Sequence, residues 1–180
     1  MGQTMSEASI SVAATSDAFD FRAFRRALGH FATGVAVVTA RAENGEVVGM
    51  TMSSFNSVSL DPPLVLFSVA RSALSLPAML AARGYGVNVL GRDQEDLSNR
   101  FSKAMGDKWS DVDHVNGHED APLLAGAIAH FECAPYAHHD GGDHVIFLAR
   151  VVRFSNDEEG DPLVFFRGRY RGLATDLPSA

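Results

Sequence analysis

The chain has 180 residues, 46% of them hydrophobic and 21% charged, which is the composition of one globular domain with a sizeable core. Its formal net charge of −7 argues against binding to nucleic acid or to an anionic membrane, because both need a cationic face. The single cysteine, Cys133, excludes an internal disulfide and a multi-cysteine zinc site, and it fits a reducing cytoplasm.

The first 18 residues are rich in Ser, Ala and Thr, and they have neither a basic start nor a continuous apolar segment. This pattern is typical of a disordered N-terminal arm rather than of a signal peptide. We therefore expect one folded domain over residues 19–173 and a short C-terminal tail over 174–180. No apolar run in the sequence reaches the length needed to cross a bilayer.

The first predicted element is a helix that begins at Phe21 and ends near Gly29, with Asp20 available as its N-cap. A β-branched run from Gly34 to Ala40 then predicts a strand. The Asn44-Gly45 pair favours a tight hairpin turn into a second strand from Val47 to Thr51. The apolar face of the helix carries Phe21, Phe24, Leu28 and Phe31.

Two prolines precede the next strand, Leu64 to Val69, where their missing N–H groups interrupt no ladder, and we expect this strand to be central. Ser75 can cap a short helix that extends through Ala82. A strand from Tyr85 to Leu90 follows, and Asp93 can cap a second short helix over Gln94 to Arg100.

A polar, less regular region covers Ser102 to Asp120. Two extended segments, Ala127 to His138 and Asp143 to Phe154, are joined by Asp140-Gly-Gly142, and a last short strand covers Pro162 to Phe166. Strands outnumber helices about two to one in this assignment. The sequence therefore predicts a mainly β protein, built as an antiparallel barrel with a few short helices.

The stretch from Gly49 to Phe67 places five hydroxyl residues between Thr51 and Ser59. Apolar residues interleave with them, so the backbone should be partly buried, and buried hydroxyls need hydrogen-bond partners. Those partners are either the protein's own backbone or the polar edge of a planar ligand whose flat face rests on the apolar neighbours. The interleaved apolar residues are Met50, Met52, Phe55, Val58 and Leu60.

The segment from Ser68 to Ser75 joins a strand to a helix start. Arg71, Ser72 and Ser75, together with free helix N–H groups, could converge there on one anion. The alternative is a solvent-facing arginine beside an ordinary serine cap. In an acidic protein, a hydroxyl-rich stretch and an anion site that bracket the same strand suit flavin mononucleotide.

Three histidines and two aspartates fall within His138 to His144, but a solvated turn explains them better than a metal site, since two strands and a glycine turn separate their side chains. His114 and His118 have helical ligand spacing, yet Asn116-Gly117 makes a helix improbable there. No Gly-x-Ser-x-Gly elbow occurs. We expect no metal site and no nucleophilic triad.

Four motifs follow one another along the chain, namely Phe31-Ala-Thr-Gly-Val-Ala-Val-Val-Thr39, Gly49-Met-Thr-Met-Ser-Ser-Phe-Asn-Ser-Val-Ser-Leu-Asp-Pro-Pro63, Gly141-Gly-Asp-His144 and Leu163-Val-Phe-Phe-Arg-Gly-Arg-Tyr170. Together they resemble the short-chain flavin reductases, the FMN-binding split-barrel proteins that serve as reductase components of two-component flavin-dependent monooxygenases. The likeness covers roughly residues 21–173. The resemblance implies an antiparallel Greek-key split β-barrel and a homodimer with flavin in a groove near the subunit interface.

The resemblance also implies roles for individual residues. His144 would lie beside the nicotinamide as the catalytic residue, and Arg169 and Tyr170 would reach the dinucleotide. Many relatives carry Ala-Asn-Ser where this chain has Met52-Ser-Ser54. The polar side chain of Ser53 is shorter than that of asparagine and so extends less far toward the flavin ring. The implied flavin-binding residues are Gly49, Met50, Thr51, Ser53, Ser54, Ser68, Ala70, Arg71, Ser72, Ser75, Asn88, Phe101 and Ser102.

The implied activity is hydride transfer from NADH or NADPH to FMN or FAD, with the reduced flavin passed to a separate oxygenase. Such a transfer needs two stacked rings and no side-chain nucleophile. Two alternatives stay open from the sequence. The first is a flavoprotein that keeps its FMN and reduces a corrinoid, a ferric chelate or a quinone, and the second is a non-catalytic flavin-binding module.

Overall fold

The computed structural model describes residues 19–173, so the expected disordered arm (1–18) and tail (174–180) lie outside the described residues. The elements run in chain order as α1 Phe21–Leu28, β1 Thr33–Gly34, β2 Ala36–Arg41, β3 Val47–Met52, β4 Asn56–Leu60, β5 Pro63–Ala70, α2 Leu76–Ala81, β6 Tyr85–Val89, α3 Glu95–Ser102, β7 His114–Asn116, a 3-10 turn His118–Asp120, β8 Pro122–Leu124, β9 Ala129–Gly141, β10 His144–Asn156, β11 Val164–Phe166 and β12 Arg169–Arg171.

The main sheet has seven antiparallel strands in the order β3-β2-β6-β9-β10-β5-β4. A three-stranded sheet, β1-β11-β12, and a two-stranded one, β7-β8, complete the strand pairing. The predicted mainly β, antiparallel architecture is confirmed. The predicted hairpin between β2 and β3 is also present, and Gly45 adopts the positive φ of +85° that its turn requires.

Both faces of β2 are buried, which explains its continuous apolar run. Ala36 and Val38 pack into one cluster, centred on the aromatic residues Phe67, Tyr85 and Phe147. Val37 faces the other way into a second cluster. That second cluster also contains Val35, Leu90, Phe101, Leu124 and Leu163.

Helix α1 forms over the predicted residues, and the Asp20 carboxylate caps it by accepting hydrogen bonds from Arg22 N (2.9 Å) and Ala23 N (3.0 Å). Its apolar face does not join the core. Phe21 is 71% exposed and Leu28 56% exposed, and Phe24 and Phe31 also face outward. Within residues 19–173, the aromatic rings that pack on Phe21 and Phe24 are limited to that of Phe19, which is itself exposed, so the helix presents a largely uncovered apolar surface.

The predicted caps of the two later helices are wrong in detail. Gln94, not Asp93, precedes α3, because the Gln94 side-chain amide bonds Gly91 N and Ala125 O and so fixes the start of the helix from outside it. Ser75 does occupy the N-cap of α2, but its backbone is helical rather than extended. Its hydroxyl consequently makes no cap hydrogen bond and contacts Met50 Sδ at 3.7 Å.

Four strands were not predicted, namely β4, β7, β8 and β12. Strand β4 lies at the sheet edge, so the second half of the hydroxyl-rich stretch is exposed rather than partly buried, with Leu60 95% exposed. The other three are segments of three residues, in which the pairing of β7 with β8 and of β12 with β11 outweighs the local pattern. Strand β5 lies between β4 and β10, one place from the edge rather than at the centre.

Candidate functional site

A first cavity of about 560 Å³ opens between β3, β5 and the hairpin of β9 and β10. The sheet register brings its walls together, because His144 pairs with both Ala70 and Gly141, and Ile146 pairs with Ser68. Sequence-distant residues thus become neighbours on one sheet surface. The cavity is lined by Met50, Thr51, Met52, Ser53, Ser54, Ser68, Ala70, Gly141, His144 and Ile146.

The hydroxyls of the first cavity divide into two groups. Thr51 Oγ1 donates to Ser98 O at 2.6 Å, and Ser54 Oγ accepts from Ser68 N at 3.0 Å. These two hydroxyls serve the protein's own backbone. Ser53, by contrast, is exposed and its hydroxyl has no hydrogen-bond partner within residues 19–173, so it is available to a ligand.

A second cavity, of about 590 Å³, shares Met50 and Thr51 with the first. It holds the predicted residues Gly49, Ser72, Ser75, Phe101 and Ser102. The remaining lining comes from the start of β3, the β5–α2 turn and the loop after α3, namely Glu46, Val47, Val48, Ala73, Leu74, Lys103, Ala104, Met105, Gly106, Asp107, Lys108 and Trp109. The two cavities form one continuous polar and apolar surface along β3.

Gly49 is required where Phe101 closes the base of the second cavity. A Cβ on Gly49 would lie 2.8 Å from Phe101 Cε1 and 3.2 Å from Trp109 Cζ2. Phe101 is almost fully buried and packs edge-on against Trp109, with ring centroids 4.9 Å apart. The ring of Phe101 therefore has little room to move away, and the position needs a residue without a side chain.

Two residues of the second cavity escaped the sequence analysis. The Lys108 ammonium donates to Gly49 O and to Phe101 O, both at 3.4 Å, and burial lowers its pKa. Trp109 packs against Phe101 and against the His114 ring, whose centroid is 5.4 Å away. Both lie in the polar excursion after α3, where no local pattern signals contact with β3.

Two predicted ligand residues are turned elsewhere. Arg71 lines neither cavity, since its Nε donates to Gly142 O at 2.8 Å and its Nη2 lies 3.1 Å from Asp140 Oδ2. The pKa of Asp140 is lowered by the Gly142 N–H and by Arg71. Asn88 is completely buried, and its amide bonds Val37 O and Leu124 N instead of facing a cavity.

His144 lies at the edge of the first cavity and contacts its neighbour Asp143. Its Nδ1 is 2.6 Å from Asp143 Oδ1, and this contact is the main reason that the pKa of Asp143 is lowered. An ionised carboxylate only accepts hydrogen bonds, so Nδ1 carries the proton in this contact, and in that tautomer Nε2 is an acceptor.

Tyr170 and Arg169 lie on β12, outside both cavities. The Tyr170 hydroxyl is 2.8 Å from Ser98 Oγ, and Ser98 O accepts the hydrogen bond from Thr51. Ser98 is fully buried on α3 and was not predicted from the sequence. It connects the β12 segment to the wall that both cavities share.

Within the described residues, the other histidines and the cysteine do not come together as a metal site. His138 packs on the Phe147 ring at 4.5 Å, and burial lowers its pKa. Cys133 is buried in β9, and burial raises its pKa to about 12. Within residues 19–173, no three His, Cys, Asp or Glu side chains come together as a metal site, and no helix is long and apolar enough to span a membrane.

The arrangement suits a ligand with a planar polar ring and an anionic tail. The ring would rest on the apolar side chains of the first cavity, near the free hydroxyl of Ser53. The tail would enter the second cavity, where Ser72 and Ser75 offer hydroxyls. His144 faces the same first cavity from its far strand, so a second planar molecule could be held there too.

Comparison with known proteins identifies related chains. Residues 28–174 match the family described as flavin reductase like domain. The chain is 46% identical over 149 residues to the FMN reductase (NADH) SmoA of Agrobacterium fabrum, covering 83% of this chain and 84% of that protein. It is 38% identical over 172 residues to HsaB, the reductase subunit of a flavin-dependent monooxygenase of Rhodococcus jostii, covering 96% and 88%.

Among solved structures, the Streptomyces globisporus NADH:FAD oxidoreductase SgcE6, in complex with NAD and FAD fragments, has a TM-score of 0.84 to this chain at 41% identity. The match covers 91% of this chain and 99% of that one. It confirms the expected fold, an antiparallel split β-barrel with a few short helices.

Proposed function

This chain belongs to the flavin reductase family, and from that membership we propose that it reduces FMN or FAD with NADH or NADPH and supplies the reduced flavin to a partner monooxygenase. Relatives that match most of the chain are an NADH-dependent FMN reductase and the reductase subunit of a flavin-dependent monooxygenase. The chain is an oxidoreductase that acts with a separate oxygenase component.

The observation that carries this assignment is the meeting of two cavities at Met50 and Thr51. The first has room for stacked rings beside His144, and the second has hydroxyls for a phosphate tail. Flavin bound there supplies the hydride-accepting chemistry. The chain's own task is to hold the two rings in contact and to keep water out with Met50, Met52 and Ile146.

We assign His144 a positioning role at the nicotinamide. Its Nδ1 is held by Asp143, which leaves Nε2 as an acceptor for the N–H of a carboxamide. Hydride transfer between two stacked rings would need no proton from a side chain, so His144 would orient the carboxamide rather than act as an acid or a base.

The remaining predicted ligand residues are proposed to act less directly. Tyr170 holds Ser98 and so supports Thr51, and Arg169 is free on the surface to meet the charged part of the dinucleotide. Ser68 and Ala70 form the floor of the first cavity, and Ser102 borders the second. Asn88 supports the wall by joining β2, β6 and β8.

A homodimer is part of the proposal. The apolar surface of α1 stays largely uncovered in the described part of the chain, and Phe21, Leu28 and Phe31 are each more than half exposed. A second copy would cover such a surface. Sedimentation velocity measures the mass directly, and a monomer at every accessible concentration would contradict the dimer.

The activity is tested by anaerobic NADH oxidation, followed at 340 nm with no flavin and with an excess of FMN or FAD. We expect many turnovers that scale with added free flavin, and the same assay with NADPH gives the donor preference. A protein that stops after one equivalent would instead keep its flavin and need another acceptor. No oxidation with any flavin would contradict the enzyme assignment.

A further inference from the structure

The second cavity holds the hydroxyls expected for a phosphate but not the expected cation. Ser72 and Ser75 line it, whereas the neighbouring Arg71 is occupied on the other side of the β5–α2 turn. Arg71 bonds Gly142 O and pairs with Asp140, so it is held against the β9–β10 turn. A phosphate dianion in a cavity needs a nearby positive charge as well as hydroxyl donors.

Lys108 brings a positive charge to this cavity from the loop after α3. Its ammonium has three donors, yet its only hydrogen bonds within residues 19–173 are two long ones, of 3.4 Å, to backbone carbonyls. No carboxylate in that range lies within ion-pair distance of it. Of the acidic residues that line the cavity, Asp107 accepts from Trp109 N and Ser110 N, and Glu46 is exposed to solvent.

The Lys108 ammonium and the Ser75 hydroxyl border the same short segment of β3. Lys108 Nζ is 3.4 Å from the carbonyl oxygen of Gly49, and Ser75 Oγ is 3.7 Å from the sulfur of Met50, the next residue along the strand. A phosphate placed over this segment can therefore meet both groups. We propose that Lys108, rather than Arg71, is the cation that binds the phosphate of the flavin.

This assignment rests on the proposed function, because it needs the flavin tail in the second cavity. The two carbonyl contacts hold the ammonium in place before the ligand arrives, and a phosphate replaces weak neutral partners with a charge-assisted one. Burial lowers the pKa of Lys108, and a nearby dianion opposes that effect. Binding thus completes the environment of a cation that is poorly satisfied in the free protein.

The test compares two oxidised flavins that differ only in the phosphate, FMN and riboflavin. Their dissociation constants are measured by equilibrium titration without nicotinamide, so turnover plays no part. We expect Lys108→Met to weaken FMN at least about tenfold while changing riboflavin less than about twofold, which is the loss typical of one hydrogen bond to a charged group. Arg71→Met and Arg83→Met each remove one positive charge outside the second cavity, and both should leave the affinities for FMN and for riboflavin unchanged.

Each other outcome overturns the assignment. Equal weakening of FMN and riboflavin by Lys108→Met would make the residue a support for the loop. Unchanged FMN affinity would exclude it from the site, and a phosphate-specific loss in Arg71→Met would return the role to Arg71. If the unaltered protein bound neither of these flavins nor FAD, the proposed function itself would fail, which is a different result from failure of the Lys108 variant alone.

Discussion

Replacing Asn88 with alanine should destabilise the fold while leaving the flavin affinity of the folded protein unchanged. The side chain is completely buried, its Nδ2 donates to Val37 O at 2.9 Å, and its Oδ1 accepts from Leu124 N at 2.8 Å. The amide thereby ties β8 to the main sheet. The resemblance to flavin reductases implies a flavin contact at this position, so the variant separates a structural role from a binding role.

The cost follows from the hydrogen bonds that the truncation removes. The buried N–H of Leu124 loses its partner, which costs about 1–3 kcal/mol, whereas the carbonyl of Val37 stays in the ladder of the main sheet and loses one hydrogen bond of about 0.5–1.5 kcal/mol. Small domains have about 5–15 kcal/mol of total stability, so the combined loss is a large fraction of it. With a urea dependence of about 2 kcal/mol per molar, the unfolding midpoint should fall by about 1–2 M.

Urea unfolding is followed by the fluorescence of Trp109, the only tryptophan in the chain. The control is Ser155→Ala, which removes an exposed hydroxyl whose one contact, to His130 Nδ1, is a long 3.4 Å. It should move the midpoint very little. An Asn88→Ala midpoint close to that of the control, together with a large loss of FMN affinity, would refute the structural reading of Asn88.

Three further changes test other parts of the site and fold. His144→Ala should slow NADH-dependent turnover roughly tenfold or more while leaving the FMN dissociation constant nearly unchanged, because it positions the nicotinamide; equal losses in both assays would count against that role. Glu132 loses solvation in the fold, which raises its pKa, but the hydrogen bonds and charge of Arg153 and its other partners outweigh this, so its folded pKa is lowered. The ionised Glu132 therefore stabilises the fold above its unfolded pKa of about 4.3, and this stabilisation is lost as the pH falls through the lower folded pKa. Glu132→Gln should accordingly flatten the acid side of the curve of unfolding free energy against pH. Identical curves for the variant and the unaltered protein would contradict this role. Gly49→Ala places a Cβ 2.8 Å from the ring of Phe101 and should cost about 1–3 kcal/mol in urea unfolding, whereas an unchanged midpoint would show that the ring can yield.

Much of the fold is readable from local sequence. The Asn44-Gly45 turn, the capping of α1 by Asp20 and the long β9–β10 hairpin all follow from short-range chemistry. Where prediction failed, a distant partner decided the outcome. Gln94 replaces Asp93 as the cap because its amide reaches Gly91 and Ala125. The exposure of β4 depends on its position at the sheet edge, which sequence periodicity does not encode.

In the candidate site, too, features encoded in local sequence were predicted, whereas features that depend on distant contacts were not. Hydroxyl-rich β3 with its following turn, and the serines of the β5–α2 turn, are recognisable as ligand segments, and they do meet in the structure. The direction of a long side chain is not recognisable, so Arg71 was expected in the cavity and lies outside it. Lys108 and Ser98 had no signal, since each reaches β3 only through the folding of α3 and the loop that follows it.

The strand order has a consequence for how the chain acquires its shape. The β2–β3 and β4–β5 hairpins are neighbours in sequence but lie at opposite edges of the main sheet, separated by β6, β9 and β10. They stay unconnected until those later strands insert between them. As the chain leaves the ribosome, the N-terminal half can form two hairpins but no continuous sheet. The wall containing His144 is supplied by β10, which follows β6 and β9 in the chain, so the first cavity cannot form before this C-terminal strand is available.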